Sequence, residues 1–353
     1  MGHGVAEPLR TIQWKDGVVA TIDQTLLPAK EVWVELKTCQ QVASALKEMK
    51  VRGAPLIGVA AAYGVALSAY HSKAQNKKDL VRELEEAAKI ITSTRPTAVN
   101  LFWAADRVLK AANETNGGVE DVKRAVVAEA QRMADEDVAV NRRIGEHGAT
   151  LIEDGDTVLT HCNAGSLATV DYGTALAVVR AACEEGKHIK VFADETRPLL
   201  QGARLTAFEL MRDGVPVTLI TDSMAGYLMS KGMIDKAVVG ADRIVRDAVI
   251  NKIGTYSVAV LAHENGVPFY VAAPTSTFDL SKRARDVTIE ERSPSEVTNI
   301  GSTRIAPEGV KVMNPAFDVT PIKYVAAVIC EEGVLNRREF RDRAKKHVQT
   351  EMV

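Results

Sequence analysis

Cys162 stands in Thr160-His161-Cys162-Asn163-Ala164-Gly165-Ser166, directly after the strand-like run Val158-Leu159 and ahead of a helical stretch over 173–179. In an open α/β sheet, ligands bind at the turn leaving the carboxyl end of a strand. A thiol placed there is reachable, and a nearby helix N-terminus lowers its pKa. Four further strand-like runs lead into reactive or ligand-type residues: Asp194-Glu195-Thr196-Arg197, Asp222-Ser223, Asp242-Arg243 and Pro274-Thr275. Parallel strands would bring these ends to one edge, so that a thiol, carboxylates and arginines converge on a crevice. A strand-end Asp also serves simply to cap the next helix. Asp242 is set apart by the small residues Gly240-Ala241 before it and by the lack of a Ser/Thr-x-x-Glu capping pattern. Nine residues later, Asn251-Lys252-Ile253-Gly254-Thr255 opens a helical stretch, which makes Lys252 a candidate anion ligand. His161 has the chemistry of a base, but strand neighbours point to opposite faces, so it reads as structural.

The N-terminal half offers a second group. Arg52-Gly53-Ala54-Pro55 precedes a helix with Pro55 in its first turn, and Arg95-Pro96-Thr97 repeats the arrangement. An arginine beside a helix N-terminus is a phosphate site. A plain turn accounts for either alone. Together they suggest that a smaller N-terminal domain supplies phosphate contacts to a larger one.

The elements that must position these residues fall into two regimes. Residues 11–37 read as short β-strands, with Lys15-Asp16-Gly17 as a hairpin turn. Helical periodicity follows, with Leu80, Leu84, Ala88 and Ile91 on one face and a long amphipathic helix from Val119. From residue 157, β-rich runs at 157–160, 189–193, 217–220, 237–240 and 269–273 alternate with helices. That spacing is the length of a βαβ unit and predicts a parallel sheet covered on both faces. The expected class is α/β: a Rossmann-like parallel-sheet domain over 141–353, preceded by a domain of short β-strands and a helical bundle over 1–140.

Composition narrows the function. With 353 residues and a net charge of −2, the chain has no global attraction for nucleic acid or an acidic membrane. Cys39, Cys162, Cys183 and Cys330 are too dispersed for a disulfide framework or structural zinc site, which points to a reducing cytoplasm. The N-terminus lacks the pattern of a signal peptide, and the apolar stretch over 56–69 is too short and alanine-rich to read as a membrane span. No G-x-G-x-x-G after a strand, G-x-x-x-x-G-K-[ST] or H-E-x-x-H is present, which argues against dinucleotide or P-loop binding and against a catalytic metal.

These stretches together resemble the methylthioribose-1-phosphate isomerase family. The matching segments are Val51-Arg52-Gly53-Ala54-Pro55-Leu56-Ile57-Gly58, Arg95-Pro96-Thr97-Ala98-Val99-Asn100-Leu101, His161 to Ser166, Glu195 to Thr206, Val239 to Arg243 and Asn251 to Tyr256, in family order, with Trp14-Lys15 near the start. The resemblance implies an aldose-ketose isomerase of methionine salvage that turns 5-methylthioribose 1-phosphate into the 1-phosphorylated ketose. It implies Cys162 and Asp242 as the catalytic pair, and Arg52, Gly53, Ala54, Arg95, Gln201, Asn251 and Lys252 as substrate-binding positions. It further implies a metal-free, cofactor-free cytoplasmic homodimer. One departure stands out: residues 243–250 lack the Asn-Gly-type turn of many relatives, and the link looks shorter. Two other functions share the pattern. One is isomerisation of ribose 1,5-bisphosphate or 5-deoxyribose 1-phosphate. The other is a regulatory scaffold like the alpha, beta and delta subunits of translation initiation factor 2B.

Overall fold

The computed structural model describes residues 9–96 and 98–351. Thr97 and the N-terminal residues behind the signal-peptide reading lie outside the described residues. The chain divides into two compact units, one of residues 9–141 with Ser166–Gly173 and one of residues 142–165 with 174–351.

In the first unit β1 (Ile12–Lys15), β2 (Val18–Ile22) and β3 (Trp33–Leu36) form an antiparallel meander. Lys15 pairs with Val18, and Asp16 and Gly17 between them take φ of 44° and 82°, as a tight hairpin turn requires. Then come α1 (Cys39–Lys47), α2 (Ala54–His71), α3 (Lys77–Thr92), α4 (Val99–Glu114) and α5 (Val119–Ala149), which carries the chain into the second unit. Thr38 and Asn76 start α1 and α3 by accepting the backbone N–H of Gln41 and Asp79. The expected stripe of Leu80, Leu84, Ala88 and Ile91 on α3 is buried. Among the described residues, α2 alone is long and apolar enough to cross a membrane, yet it is 72% buried and packs as the core helix of its unit.

The excursion Ser166–Gly173 is fastened into this unit by polar side chains. Thr11 Oγ1 donates to the Thr169 carbonyl at 2.6 Å, and Gln24 Nε2 donates to the Leu167 carbonyl at 2.7 Å. Asp137 Oδ2 accepts from the Val170 N–H at 2.8 Å and from Asn141 Nδ2 at 3.0 Å. Burial of the Asp137 carboxyl pushes its pKa up to about 7, against those two hydrogen bonds.

In the second unit the chain runs through β4 (Thr157–Thr160), α6 (Ala175–Glu184), β5 (Lys190–Asp194), a π-helical turn at Gly202–Thr206, α7 (Ala207–Arg212), β6 (Val217–Ile220), α8 (Ala225–Ser230) and β7 (Lys236–Val239). It continues through β8 (Arg243–Ile244), β9 (Ala248–Lys252), α9 (Thr255–Glu264), β10 (Phe269–Ala272), α10 (Pro294–Thr298), β11 (Asn299–Ile300) and β12 (Thr303–Arg304). It ends with β13 (Phe317–Pro321), β14 (Ala327–Cys330), β15 (Gly333–Asn336) and α11 (Arg337–Glu351). The main sheet has the order β15-β14-β10-β7-β4-β5-β6, parallel throughout except for β15. Its core is made of apolar residues such as Leu159, Ala237, Val239, Phe269 and Val271. The link whose shape the sequence left open is an antiparallel hairpin, β8 against β9, turning at Val245-Arg246-Asp247, with β13 on the other side of β9.

The raised Asp137 pKa gives a signed prediction. A carboxyl that holds its proton more tightly when folded stabilises the fold at acid pH, and this contribution is lost as pH rises through about 7. Asp137→Asn keeps an acceptor for the Val170 N–H and cannot ionise. Thermal unfolding from about pH 5 to 8 should show the wild type losing Tm relative to Asp137→Asn. Parallel curves would contradict the assignment.

Candidate active site

The sheet order fixes where a ligand can bind. From β4 the chain builds outward to β5 and β6 on one side, then returns to place β7 and β10 on the other. The order reverses between β4 and β7, and in such sheets the crevice lies beyond the carboxyl ends at that reversal. Cys162 is two residues past the end of β4, and Asp242 is three residues past the end of β7. The two tips touch: a Cβ on Gly240 would meet the Ala164 Cβ at 2.7 Å. Asp242 is half-buried, and its N–H donates to the Ile250 carbonyl at 3.0 Å, which seats it on the β8–β9 hairpin.

The Cys162 turn is held in an unusual shape. Cys162 has φ of 65°, a left-handed conformation costing a non-glycine residue about 1–2 kcal/mol. Its N–H donates to Thr196 Oγ1 at 2.8 Å, and its carbonyl accepts from Thr206 Oγ1 at 2.6 Å. Thr196 itself has φ of 66°, and its N–H donates to Asp222 Oδ1 at 2.8 Å, while the Arg197 N–H donates to Asp222 Oδ2 at 2.7 Å. Strain of this kind persists only where surrounding bonds over-determine it, as they do here. Asn163 Nδ2 donates to Glu209 Oε1 at 2.9 Å, and Glu209 Oε2 accepts from Arg180 at 2.8 Å. Arg180 also donates through Nε to Asp213 at 2.8 Å. Burial pushes the other three thiols up, Cys39 to about 11 and Cys183 and Cys330 above their ordinary value, so all three are poor nucleophiles.

The remaining expected residues are distributed as follows. Gln201 is 5% exposed, and its Oε1 has no hydrogen-bond partner among the described residues, so a buried acceptor stands next to the Cys162 turn's supports. Asn251 and Lys252 are both buried, but they end strand β9 rather than open a helix. The helix α9 starts at Thr255, and its N-terminus is already capped: Asp318 accepts from the N–H groups of Gly254 at 2.8 Å and Tyr256 at 3.1 Å. An anion at Lys252 would therefore meet the ammonium and not the helix end. Lys252 Nζ donates to the Ala316 carbonyl at 2.8 Å and lies 5.0 Å from the Phe317 ring centroid.

Arg52, Gly53, Ala54 and Arg95 belong to the first unit. Arg52 is 7% exposed, and Gly53, with φ of 103°, opens α2 without a side-chain cap. A Cβ there would meet the Ala168 backbone at 2.5 Å, so only glycine fits. Pro55 is in the first turn of α2 as expected, whereas Pro96 lies in a turn ahead of α4, which begins at Val99. The two helix starts pack closely, since a Cβ on Gly58 would meet the Asn100 carbonyl at 3.2 Å.

His161 proves to be part of the tip architecture. Its Nδ1 is 2.9 Å from Asp194 Oδ2 and 4.0 Å from Asp222 Oδ1. These donor atoms are close enough to hold a cation, but they already serve one another and the Thr196 and Arg197 N–H groups. The set is an ion-paired support. Sequence reasoning also missed Arg180, Glu209, Thr206 and Asp318. Arg180 left a signal, being a lone cation inside the apolar run Ala175-Leu176-Ala177-Val178-Val179-Arg180-Ala181-Ala182. Asp318 left none, because its partners are 64 and 62 residues away.

Comparison with known proteins identifies the family. Residues 50–337 match the model of the initiation factor 2 subunit family. A methylthioribose-1-phosphate isomerase of Acetivibrio thermocellus is 56% identical over 330 residues, which are 93% of this chain and 96% of that protein. The chain belongs to the methylthioribose-1-phosphate isomerases of this family. The crystal structure of the 5-methylthioribose 1-phosphate isomerase from Pyrococcus horikoshii matches with a TM-score of 0.90 and 46% identity, covering 98% of this chain and 97% of that one. A crystal structure titled as translation initiation factor eIF-2B subunit delta from A. fulgidus matches with a TM-score of 0.84 and 55% identity, covering 93% and 96%. Within the isomerase family, the strained cysteine tip of this chain is fixed by the buried network ending at Arg180. Arg180→Met would leave Glu209, 0% exposed, as an uncompensated buried charge. Urea unfolding should show a loss of about 3–5 kcal/mol. A loss under about 1 kcal/mol would mean the pair behaves like a surface ion pair.

Proposed function

We propose that this protein isomerises 5-methylthioribose 1-phosphate to 5-methylthioribulose 1-phosphate in methionine salvage, acting in the cytoplasm as a homodimer. The observation that carries the reading is the placement of Cys162 and Asp242 on the two touching tips at the sheet reversal. The relatives' names support the substrate.

The chemistry suits these residue types. Phosphate on C1 blocks the free aldehyde, so the furanose must open by proton donation to its ring oxygen before hydrogen moves from C2 to C1. Asp242 is the proposed donor, half-buried just beyond the end of β7. Cys162 faces the C2 hydrogen, which travels through the thiolate or shifts directly as hydride beside an apolar thiol. Deuterium placed at C2 and fully retained at C1 would select the hydride route. Arg52, Gly53, Ala54, Arg95, Gln201, Asn251 and Lys252 are the proposed substrate contacts, with the cations on phosphate. The homodimer has its support in exposed apolar side chains around the edge strand β6: Met211, Leu219, Met224 and Tyr227.

The initiation-factor title borne by one relative favours a second reading, a regulatory scaffold. A scaffold has no use for a strained thiol beside a carboxylate. Turnover of 5-methylthioribose 1-phosphate without added metal, by the wild type, Cys162→Ala and Asp242→Asn, decides between them. The isomerase reading expects wild-type turnover and a loss of at least about 10³-fold in each variant with unchanged melting. An inactive wild type would move the weight first to ribose 1,5-bisphosphate or 5-deoxyribose 1-phosphate, then to the scaffold.

A further inference from the structure

His161 is 1% exposed, and both of its ring nitrogens face oxygen. Nε2 lies 2.9 Å from the Ile253 carbonyl, which can only accept, so Nε2 carries a proton. Nδ1 lies 2.9 Å from Asp194 Oδ2. Asp194 is 0% exposed, and its other oxygen has no hydrogen-bond partner among the described residues. A carboxylate buried this way needs a full countercharge close by. The ring is also fixed in place, because Gly254, with φ of 104°, lies so close that a Cβ would meet Cε1 at 2.7 Å.

We infer that His161 is an imidazolium that acts as a positioning residue: its two N–H groups tie the β4 tip carrying Cys162 to the Ile253-Gly254 turn that follows Asn251 and Lys252, and to Asp194 at the end of β5. The inference rests on the isomerase reading for its kinetic arm only.

The groups facing the ring come from every neighbouring element. Asp194 on β5 bonds it directly. Asp222 after β6 sits 4.0 Å away and clamps Thr196, which in turn accepts the Cys162 N–H. Asp318 on β13 caps α9 at the turn His161 holds, and interacts with both the ring and Lys252. Burial opposes the His161 charge, but the Asp194 hydrogen bond and charge, the Ile253 carbonyl and Asp222 outweigh it and raise its pKa. Three carboxylates thus surround one cation, and that cation touches the supports of both the thiol and the Asn251-Lys252 segment. Neither strand alternation nor a direct catalytic role describes it. His161 sets where the reacting groups stand, not what they do.

Two measurements test this. Nitrogen NMR of histidine-labelled wild type should show both His161 ring nitrogens still protonated above the ordinary midpoint of about 6.5. A neutral ring there overturns the inference whether or not the protein turns over sugar. The kinetic arm starts from wild-type turnover of 5-methylthioribose 1-phosphate, whose absence would sink the isomerase reading and leave the NMR result standing. His161→Gln, whose neutral amide cannot donate to Asp194 and Ile253 from opposite sides as the ring does, should lower kcat by about 10²-fold while the protein stays folded. Asp194→Asn keeps an acceptor for Nδ1 but removes the countercharge. Its His161 should titrate below the wild-type ring, because burial then opposes the charge with less to offset it, and its kcat should recover as pH falls through the lowered midpoint. A merely structural role gives no such recovery. Full kcat in His161→Gln, or a pH-independent deficit in Asp194→Asn, would overturn the positioning role.

Discussion

Parallel pairing of β6, β5, β4, β7, β10 and β14 is the constraint from which the site follows. Parallel strands all end at the same edge, so whatever follows each strand in sequence is delivered to one line in space. Cys162, Asp194, Asp222 and Asp242 are scattered over 80 residues of chain and become neighbours only through this register. The reversal of strand order then opens the line between β4 and β7, where no crossover helix fills the gap.

Crowding charges at one sheet edge creates a second problem, that of burial. Asp194, Glu209, Arg180 and His161 are all within a tenth of full burial, and none would be tolerated there alone. The fold resolves this by pairing Arg180 with Glu209 and His161 with Asp194, and two chains of contacts meet at the cysteine turn. One runs from Arg180 through Glu209 to Asn163, and the other from Asp222 through Thr196 to the Cys162 N–H. A left-handed cysteine is therefore affordable locally because its neighbours on both sides are fixed by ions and not by weak loop contacts.

Much of this was legible in the residues. The strand 157–160 is bounded in the structure where its apolar run begins and ends, as a covered strand should be, and 217–220 has the expected bounds too, although as the sheet's edge strand it leaves Thr218 and Leu219 exposed. The one-faced stripe of α3 was equally plain. β8 was not, since two residues carry no period. Lys252 was misplaced onto a helix because Gly254, read as part of the helical stretch, is a left-handed hinge that separates strand from helix. Strand alternation tells where the His161 side chain points but not what waits on that side. The residues that clamp the turn lie 26 to 46 positions from those they hold, beyond any local pattern.

The hairpin between Asp242 and Asn251 has a consequence for how this chain can change over time. Asp242 is bonded to Ile250, Arg243 is paired with Ile250 and Ile244 with Val249, while Asn251 is registered against Asp318. The ladder works as a ruler: both of its ends are pinned, and at its tip Val245 still donates to the Ala248 carbonyl while Arg246 and Asp247 are bonded to Lys282, Ala284 and Ile322. A change of length at that tip would therefore have to rebuild these contacts, while the paired rungs keep the spacing of the two polar residues at the base. A single-residue slip inside the paired rungs would cost more, because it would turn Asn251 to the opposite face and disconnect it from the sheet edge.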